Sequence, residues 1–407
     1  MSATIHGLRR RTAPPALSRA VAKAGSGGHA DGPALNLLLV NRSRTWSSAV
    51  KTAMHACNAG VVTCAANEAV ALLARGGTHY THVLVNQRDA DGLADTLADL
   101  TDEIAHPDTD MLMLGTGGSG TRPVRVIPVA EPGAVQEAVM STSPRARPLS
   151  GVDDSALRAA LDAGAIEVRY QPIVRVRDGR PVALEALARL THPSLGTVAP
   201  DHFVPQIEAA GLAARFTELV SERVFADLED PALASTGMHV SINFTLDVLL
   251  SSSALIVLER QRAAHGVPAN RVIVELTESQ PVRDIGKLRE SVTHLRSLGY
   301  GVAIDDVGPA VPHLEPLLDL PFSSLKLDKV LVQQSDSSPD VLRYLSLAVR
   351  LAKKHGLTVI AEGVETEAIY SRMKAIGVQF IQGFLAARPL PRNAVPVWVR
   401  SWSDSNG

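Results

Sequence analysis

The sequence predicts an α/β protein built in two units, a doubly wound parallel sheet followed by a larger α/β barrel. Three observations carry this. From Leu35 onward, short apolar runs alternate with longer amphipathic stretches, the pattern of parallel βαβ units. The alternation breaks at STSPRARPLSGV (141–152), where proline, serine and arginine replace any apolar period. Beyond the break each apolar run is followed by polar side chains of functional type, recurring roughly every 30 residues, and a barrel gathers such strand ends on one rim. The 407 residues exceed one small domain and leave room for a barrel of about 250 residues.

Residues 1–33 are rich in Ala, Gly, Ser, Pro and Arg, and GSGGHADGPA has no apolar period, so a disordered tail is expected. The opening MSATIHGLRRRTAPP carries arginines without a following apolar segment and does not read as a secretory signal. Residues 34–142 then offer strands at LNLLLV, GVVTC, HVLVN, DMLML and VRVIPV. Between and after them lie helices at WSSAVKTAMHAC, NEAVALLARG, LADTLADLTDEI and PGAVQEAVM. In order and size this stretch resembles a response-regulator receiver domain, a flavodoxin-like fold. The resemblance implies acids after the first strand, a phosphate-accepting aspartate after the third and a lysine after the fifth. Here those places hold Val40-Asn41-Arg42, Val85-Asn86 and Ala130-Glu131-Pro132. Asp89 and Asp91 read as loop residues and Thr116 as turn chemistry. A pseudo-receiver is expected, serving dimerisation or contact with a protein partner rather than phosphotransfer.

Residues 143–152 read as a linker, 153–397 as the second unit and 398–407, ending SWSDSNG, as a polar tail. Lysine plus arginine (40) nearly cancel aspartate plus glutamate (42), so bulk charge gives no reason to expect DNA as a partner. Cys57 and Cys64 have no His or Cys cluster at zinc-ligand spacing and read as structural thiols of a reducing compartment. No apolar stretch approaches the ~18 residues that cross a bilayer. The expectation is a soluble cytoplasmic protein with no membrane partner.

The second unit carries its chemistry along its strands. VRYQPIV holds Gln171, VALEALARL holds Glu185 and Arg189, and HVSINFT holds Asn243. RVIVELTES holds Glu275 and Glu278, GVAIDD holds Asp305 and Asp306, and SSLKLDK holds Lys326 and Asp328. TVIAEGVET holds Glu362 and Glu365, and QFIQGF holds Gln382. Carboxylates sharing one rim repel one another and rise in pKa unless cations neutralise them. With oxygen donors and no histidine or cysteine in the set, magnesium or manganese is favoured over zinc. Two such ions can activate a water and stabilise the leaving oxygen in phosphodiester cleavage. Lys326 could position that water or offset developing charge; the plainer alternative is a pairing with Asp328.

Glu185-Ala186-Leu187 lies within EALAR. YQPIV (170–174), SINFT (241–245), ELTES (275–279), the Asp305-Asp306 pair, LKLDK (325–329), AEGVET (361–366) and QGFLAARPL (382–390) follow in order. On these motifs residues 153–397 resemble an EAL domain, the family of cyclic di-GMP phosphodiesterases. The resemblance implies a TIM-like barrel that hydrolyses cyclic di-GMP to linear pGpG with two Mg²⁺ or Mn²⁺ ions, and a homodimer. It implies that Glu185, Asn243, Glu275 and Asp305 bind metal, with Asp305 serving both ions and Asp306 beside it. Lys326 and Glu362 would fix the hydrolytic water and second ion, supported by Gln382. Gln171 and Arg189 would contact the dinucleotide beside Glu185, and Glu278 would brace the loop after the Asp pair.

That loop departs from the family. The pattern there is Phe-Gly, a small residue, Gly, an aromatic and two serines; Gly308 alone is kept, among Val307, Pro309, Ala310, Val311, Pro312 and His313. Proline fixes φ and removes a donor, so a stiffer, differently bonded loop is expected. The alternative left open is a cyclic di-GMP receptor with little or no hydrolysis. His313 reads as an exposed loop histidine.

Overall fold

A computed structural model describes residues 36–406, apart from residues 56–59, 76–79, 91, 104–109, 115–124, 128–134, 136–153, 193–195, 199, 278–281 and 308–313. The expected tail at 1–33 and linker at 143–152 lie outside the described residues, as do Glu278, Thr116, Asp91 and the loop residues Gly308 to His313.

The first sheet has five strands, β1 (Asn36–Val40), β2 (Gly60–Cys64), β3 (His82–Asn86), β4 (Asp110–Leu114) and β5 (Arg125–Ile127). They are parallel in the order β2-β1-β3-β4-β5. NLLLV is apolar at every position after Asn36 because both faces of the strand are covered. Leu37 and Leu39 join Val50, Met54 and Leu84 in one cluster, while Leu38 and Val40 join Val70, Val83 and Val85 in another. At the end of β3, the Asn86 Nδ2 donates to Asn41 Oδ1 (2.9 Å) and Asp89 Oδ2 (3.1 Å). The Asn41 amide in turn donates to Ser47 Oγ at 2.9 Å.

The second sheet has the order β6-β14-β13-β12-β11-β10-β9-β7-β8, and β6 also pairs β7, which closes a barrel of eight strands with β8 outside it. Its strands are β6 (Ile166–Arg175), β7 (Pro181–His192), β8 (Gly196–Val198), β9 (His239–Thr245), β10 (Val272–Thr277), β11 (Gly301–Val307), β12 (Ser324–Leu327), β13 (Thr358–Ala361) and β14 (Phe380–Gln382). Val240, Ile242 and Phe244, or Val272, Val274 and Leu276, belong to the main apolar core with the surrounding helices. The alternate positions face the lumen. There Ile173, Ala183 and Ile360 form a small separate cluster, each two residues from a polar group at the mouth (Gln171, Glu185, Glu362). The polar layer therefore rests on an apolar plug.

Two expectations are corrected. The strands are not all parallel: β6 is antiparallel to both β14 and β7, so Gln171 sits in mid-strand rather than at a C-terminal end. The tail expected at 398–407 is helical as far as Asn406, because Val395–Asn406 forms a helix whose Trp398 is buried and stacks on Trp402 at 5.3 Å. Tryptophans four apart supplied an apolar face that the serines and aspartate around them obscured. This helix packs on helix Ala66–Arg75 of the first unit, and the nearby Arg388 amide donates to the Ala74 carbonyl at 2.5 Å. No helix among the described residues is long and apolar enough to cross a membrane.

Candidate active site

Strand register brings the polar side chains together. Gln171 pairs with Glu185 across β6 and β7, and Glu275 lies beside Asn243 and Ala303. Lys326 lies beside Ile360, two residues before Glu362. Between β11 and β12 the register slips: Ile304 pairs with Leu325 and Val307 with Leu327, so Asp305 and Asp306 together face Lys326. This is a β-bulge, which re-aims side chains next to a site. Asp306 has φ 53°, the left-handed region that costs a non-glycine residue about 1–2 kcal/mol. Its amide donates to Asp305 Oδ1 at 2.8 Å.

At the centre stands Lys326, with no solvent exposure. Its Nζ donates to Glu275 Oε2 at 2.9 Å and to Glu185 Oε2 and Asp305 Oδ2 at 3.1 Å, and it pairs with Glu362 Oε1. Gln382 Nε2 donates to Glu185 Oε2 (2.6 Å) and Gln171 Oε1 (3.0 Å), while Gln171 Nε2 donates to the Ala387 carbonyl. Asn243 Nδ2 donates to Glu185 Oε1 at 3.0 Å.

One ammonium cannot neutralise this set. Burial pushes Glu275 up to about 8 against the pull of Lys326, with Glu185 and Asp305 raising it further. Burial likewise raises Asp305 and Glu362. Glu185 runs the other way, since burial is outweighed by Lys326 and by bonds from Asn243 and Gln382. Partial desolvation and the adjacent Asp305 push Asp306 up to about 6. Lys326 is raised well above its ordinary value, its burial outweighed by the surrounding acids.

The donor set fits divalent cations. Glu185, Glu275 and Asp305 form one group, and Asp305, Asp306 and Glu362 another, each with ligand oxygens within 4.8 Å of one another. Asn243 Oδ1 and Gln382 Oε1 are buried acceptors without a hydrogen-bond partner, the condition of oxygens that await a cation or a donor. Asp305 is shared by both groups.

The matching family model is that of the EAL domain, over residues 154–389. The chain belongs to the EAL domain family. Over 237 residues the EAL region is 32% identical to cyclic di-GMP phosphodiesterase RocR of Pseudomonas aeruginosa, covering 57% of this chain and 59% of that protein. It is 31% identical over 247 residues to cyclic di-GMP phosphodiesterase NbdA of the same organism, covering 60% and 32%. Among solved structures, the PaMucR phosphodiesterase in complex with c-di-GMP is similar with TM-score 0.56 and 29% identity, covering 59% of this chain and 98% of that one. The chain thus spans three fifths or less of these curated relatives.

Not every polar residue singled out in the EAL region joins the cluster. Asp328 caps the next helix by accepting from the Leu331 amide (2.9 Å) rather than pairing with Lys326, and Glu365 is exposed and accepts from Gln333. Arg189 lies further along β7, buried, with Nη1 donating to the Ala188 carbonyl at 2.9 Å. Ser241 was not singled out. Two residues before Asn243 on the same face of β9, it is fully buried with an unpartnered hydroxyl, and period-two reading from Asn243 would have found it.

Proposed function

We propose that this chain hydrolyses cyclic di-GMP to linear pGpG in the presence of Mg²⁺ or Mn²⁺. The observation that carries the reading is the pair of oxygen-donor groups sharing Asp305, wrapped around Lys326. Glu185, Asn243, Glu275 and Asp305 would hold one cation, and Asp305, Asp306 and Glu362 a second. Bound there, such ions would supply Lewis acidity toward a water and toward the phosphodiester oxygens.

The chain's own residues do the rest. Lys326 and Glu362, in contact at the cluster's centre, orient the attacking water, and Gln382 fixes Glu185 on their other side. Gln171 and Arg189 engage the dinucleotide, Arg189 through its fork on a phosphate oxygen. Glu278, which lies outside the described residues, keeps the role the family resemblance implies for it, toward the loop that follows Asp306. One water is consumed, one P–O3′ bond breaks, and the freed 3′ oxygen takes a proton, leaving a 5′-phosphate on the linear product.

The first unit (34–142) is read as a pseudo-receiver joined by a linker at 143–152 to an EAL domain at 153–397. Its strand order is that of flavodoxin-like folds. At the end of its third strand stands an amide, Asn86, already bonded to Asn41 and Asp89, which cannot accept a phosphoryl group. The reading includes a cytoplasmic homodimer and a protein partner for this unit. A second reading, a receptor that binds cyclic di-GMP without turnover, is favoured by the prolines 309 and 312 after the Asp pair. Incubation with cyclic di-GMP and Mn²⁺, with product followed by chromatography, separates the two. Metal-dependent pGpG from the wild type and none from Glu185→Ala supports hydrolysis, while bound nucleotide recovered intact supports the receptor.

A further inference from the structure

Lys326 does more in this geometry than face a water. Its ammonium contacts Glu275, Glu185 and Asp305 at 2.9, 3.1 and 3.1 Å, and these three supply the ligand oxygens of the first donor group. A cation seated among those oxygens and the ammonium therefore address the same negative charge. The lysine stem leaves mid-β12, and the residue is completely buried. Solvent therefore offers the ammonium no exit, and the neighbouring Asp328 is occupied as a helix cap. The remaining contact, Glu362, belongs to the second donor group and offers the ammonium a place to stay when the first is taken.

We propose that Lys326 is a tethered counter-ion: in metal-free protein it neutralises the Glu185–Glu275–Asp305 cage and keeps the barrel mouth folded, and it competes with the first divalent cation for those carboxylates. This rests on the reading of the cluster as a metal site. Without the ammonium, like charges a few ångströms apart in a buried layer repel, and a cation becomes the means of holding them. With it, the mouth is assembled beforehand and cation affinity is lower than the acids alone would give.

The test uses the full chain and two substitutions, Lys326→Met and Lys326→Arg, with manganese as the probe. Calorimetry should show Mn²⁺ bound about tenfold more tightly or better by Lys326→Met than by wild type, from the loss of a neighbouring positive charge. In EDTA at pH 8 the methionine variant should melt about 5 °C or more below wild type, and manganese should remove the difference. Lys326→Arg keeps the charge and should match wild type in EDTA, which keeps the test intact if Lys326→Met can be purified only with manganese. Equal or weaker manganese binding by Lys326→Met overturns the role, as does an unchanged melting temperature in EDTA. Absence of manganese binding by all three proteins overturns the metal reading itself and this role with it.

Discussion

Gly383→Ala tests how the site is held in place. Gly383 follows Gln382 directly, with φ 154°, where side chains are rarely found. A Cβ there would lie 2.3 Å from the Val364 carbonyl oxygen and 2.4 Å from the Val364 nitrogen. Against the 3.0 Å floor for real Cβ contacts this is a shortfall of about 0.7 Å, and the obstacle is backbone on both counts. Val364 cannot retreat freely: its amide donates to the Gln382 carbonyl and its carbonyl accepts from Leu385, both at 3.0 Å. Losing two such bonds at about 1 kcal/mol each, with 1–3 kcal/mol of local strain, gives a cost of about 3–5 kcal/mol. Urea denaturation read by circular dichroism measures it. The control is Gly164→Ala, at φ 68° with nothing within 4 Å, which should cost only about 1 kcal/mol of backbone strain. Any Gly383→Ala protein that folds should also lose nucleotide affinity, because Gln382 moves with its neighbour. Equal midpoints for Gly383→Ala and Gly164→Ala would refute the reasoning.

Tyr170→Phe removes a fully buried hydroxyl that donates to Asp227 Oδ2 at 2.9 Å, while Oδ1 keeps Arg223 and Arg392. A loss of about 1.5–3 kcal/mol is expected by chemical denaturation, and no loss would mean that the two arginines suffice. Burial, then Glu68, pushes the Cys64 thiol up to about 12, so in a Cys57→Ser background it should resist a disulfide reagent at pH 8 until the chain unfolds; labelling at the rate of a free thiol contradicts this. Glu222, and beyond it Glu229, hold the His265 imidazole above its ordinary 6.5 despite some desolvation. A raised folded value gives stability present in full below 6.5 and lost as pH rises through the folded value. The stability gap between wild type and His265→Gln should therefore be wider at pH 5.5 than at pH 9, and a pH-independent gap would exclude the linkage.

What the sequence disclosed depended on how local the signal was. Runs such as NLLLV and VIVELT announce strands because burial on both faces selects a continuous short apolar run, and a polar side chain breaking such a run at one position marks a face turned to a site, all within five or six residues. The gathering of Glu185, Glu275, Asp305, Lys326 and Gln382 into one layer was readable from their recurrence along successive strands. Geometry that depends on pairing was not readable. The direction of β6 is set by the hairpin it makes with β7, and the bulge at Asp305-Asp306 exists only relative to β12. Nor could the tetrad around Lys326 be read, since Asp328 two residues away was the nearer partner in sequence. The C-terminal helix was hidden because Trp398 and Trp402 find their burial in tertiary packing.

The reversed β6 settles from which side the barrel is reached. In the other seven strands of the ring the chain climbs toward the mouth that carries the polar layer; in β6 it enters at that mouth and descends. The N-terminal half of β6 pairs with Ala186 to Leu190 of β7, past the layer of Glu185. The short link from helix Asp154–Asp162 into β6 is thereby set at the end of the barrel that carries the polar layer, and not at its apolar floor. A shift at the C-terminal end of that helix is therefore a shift beside the polar layer rather than beneath it.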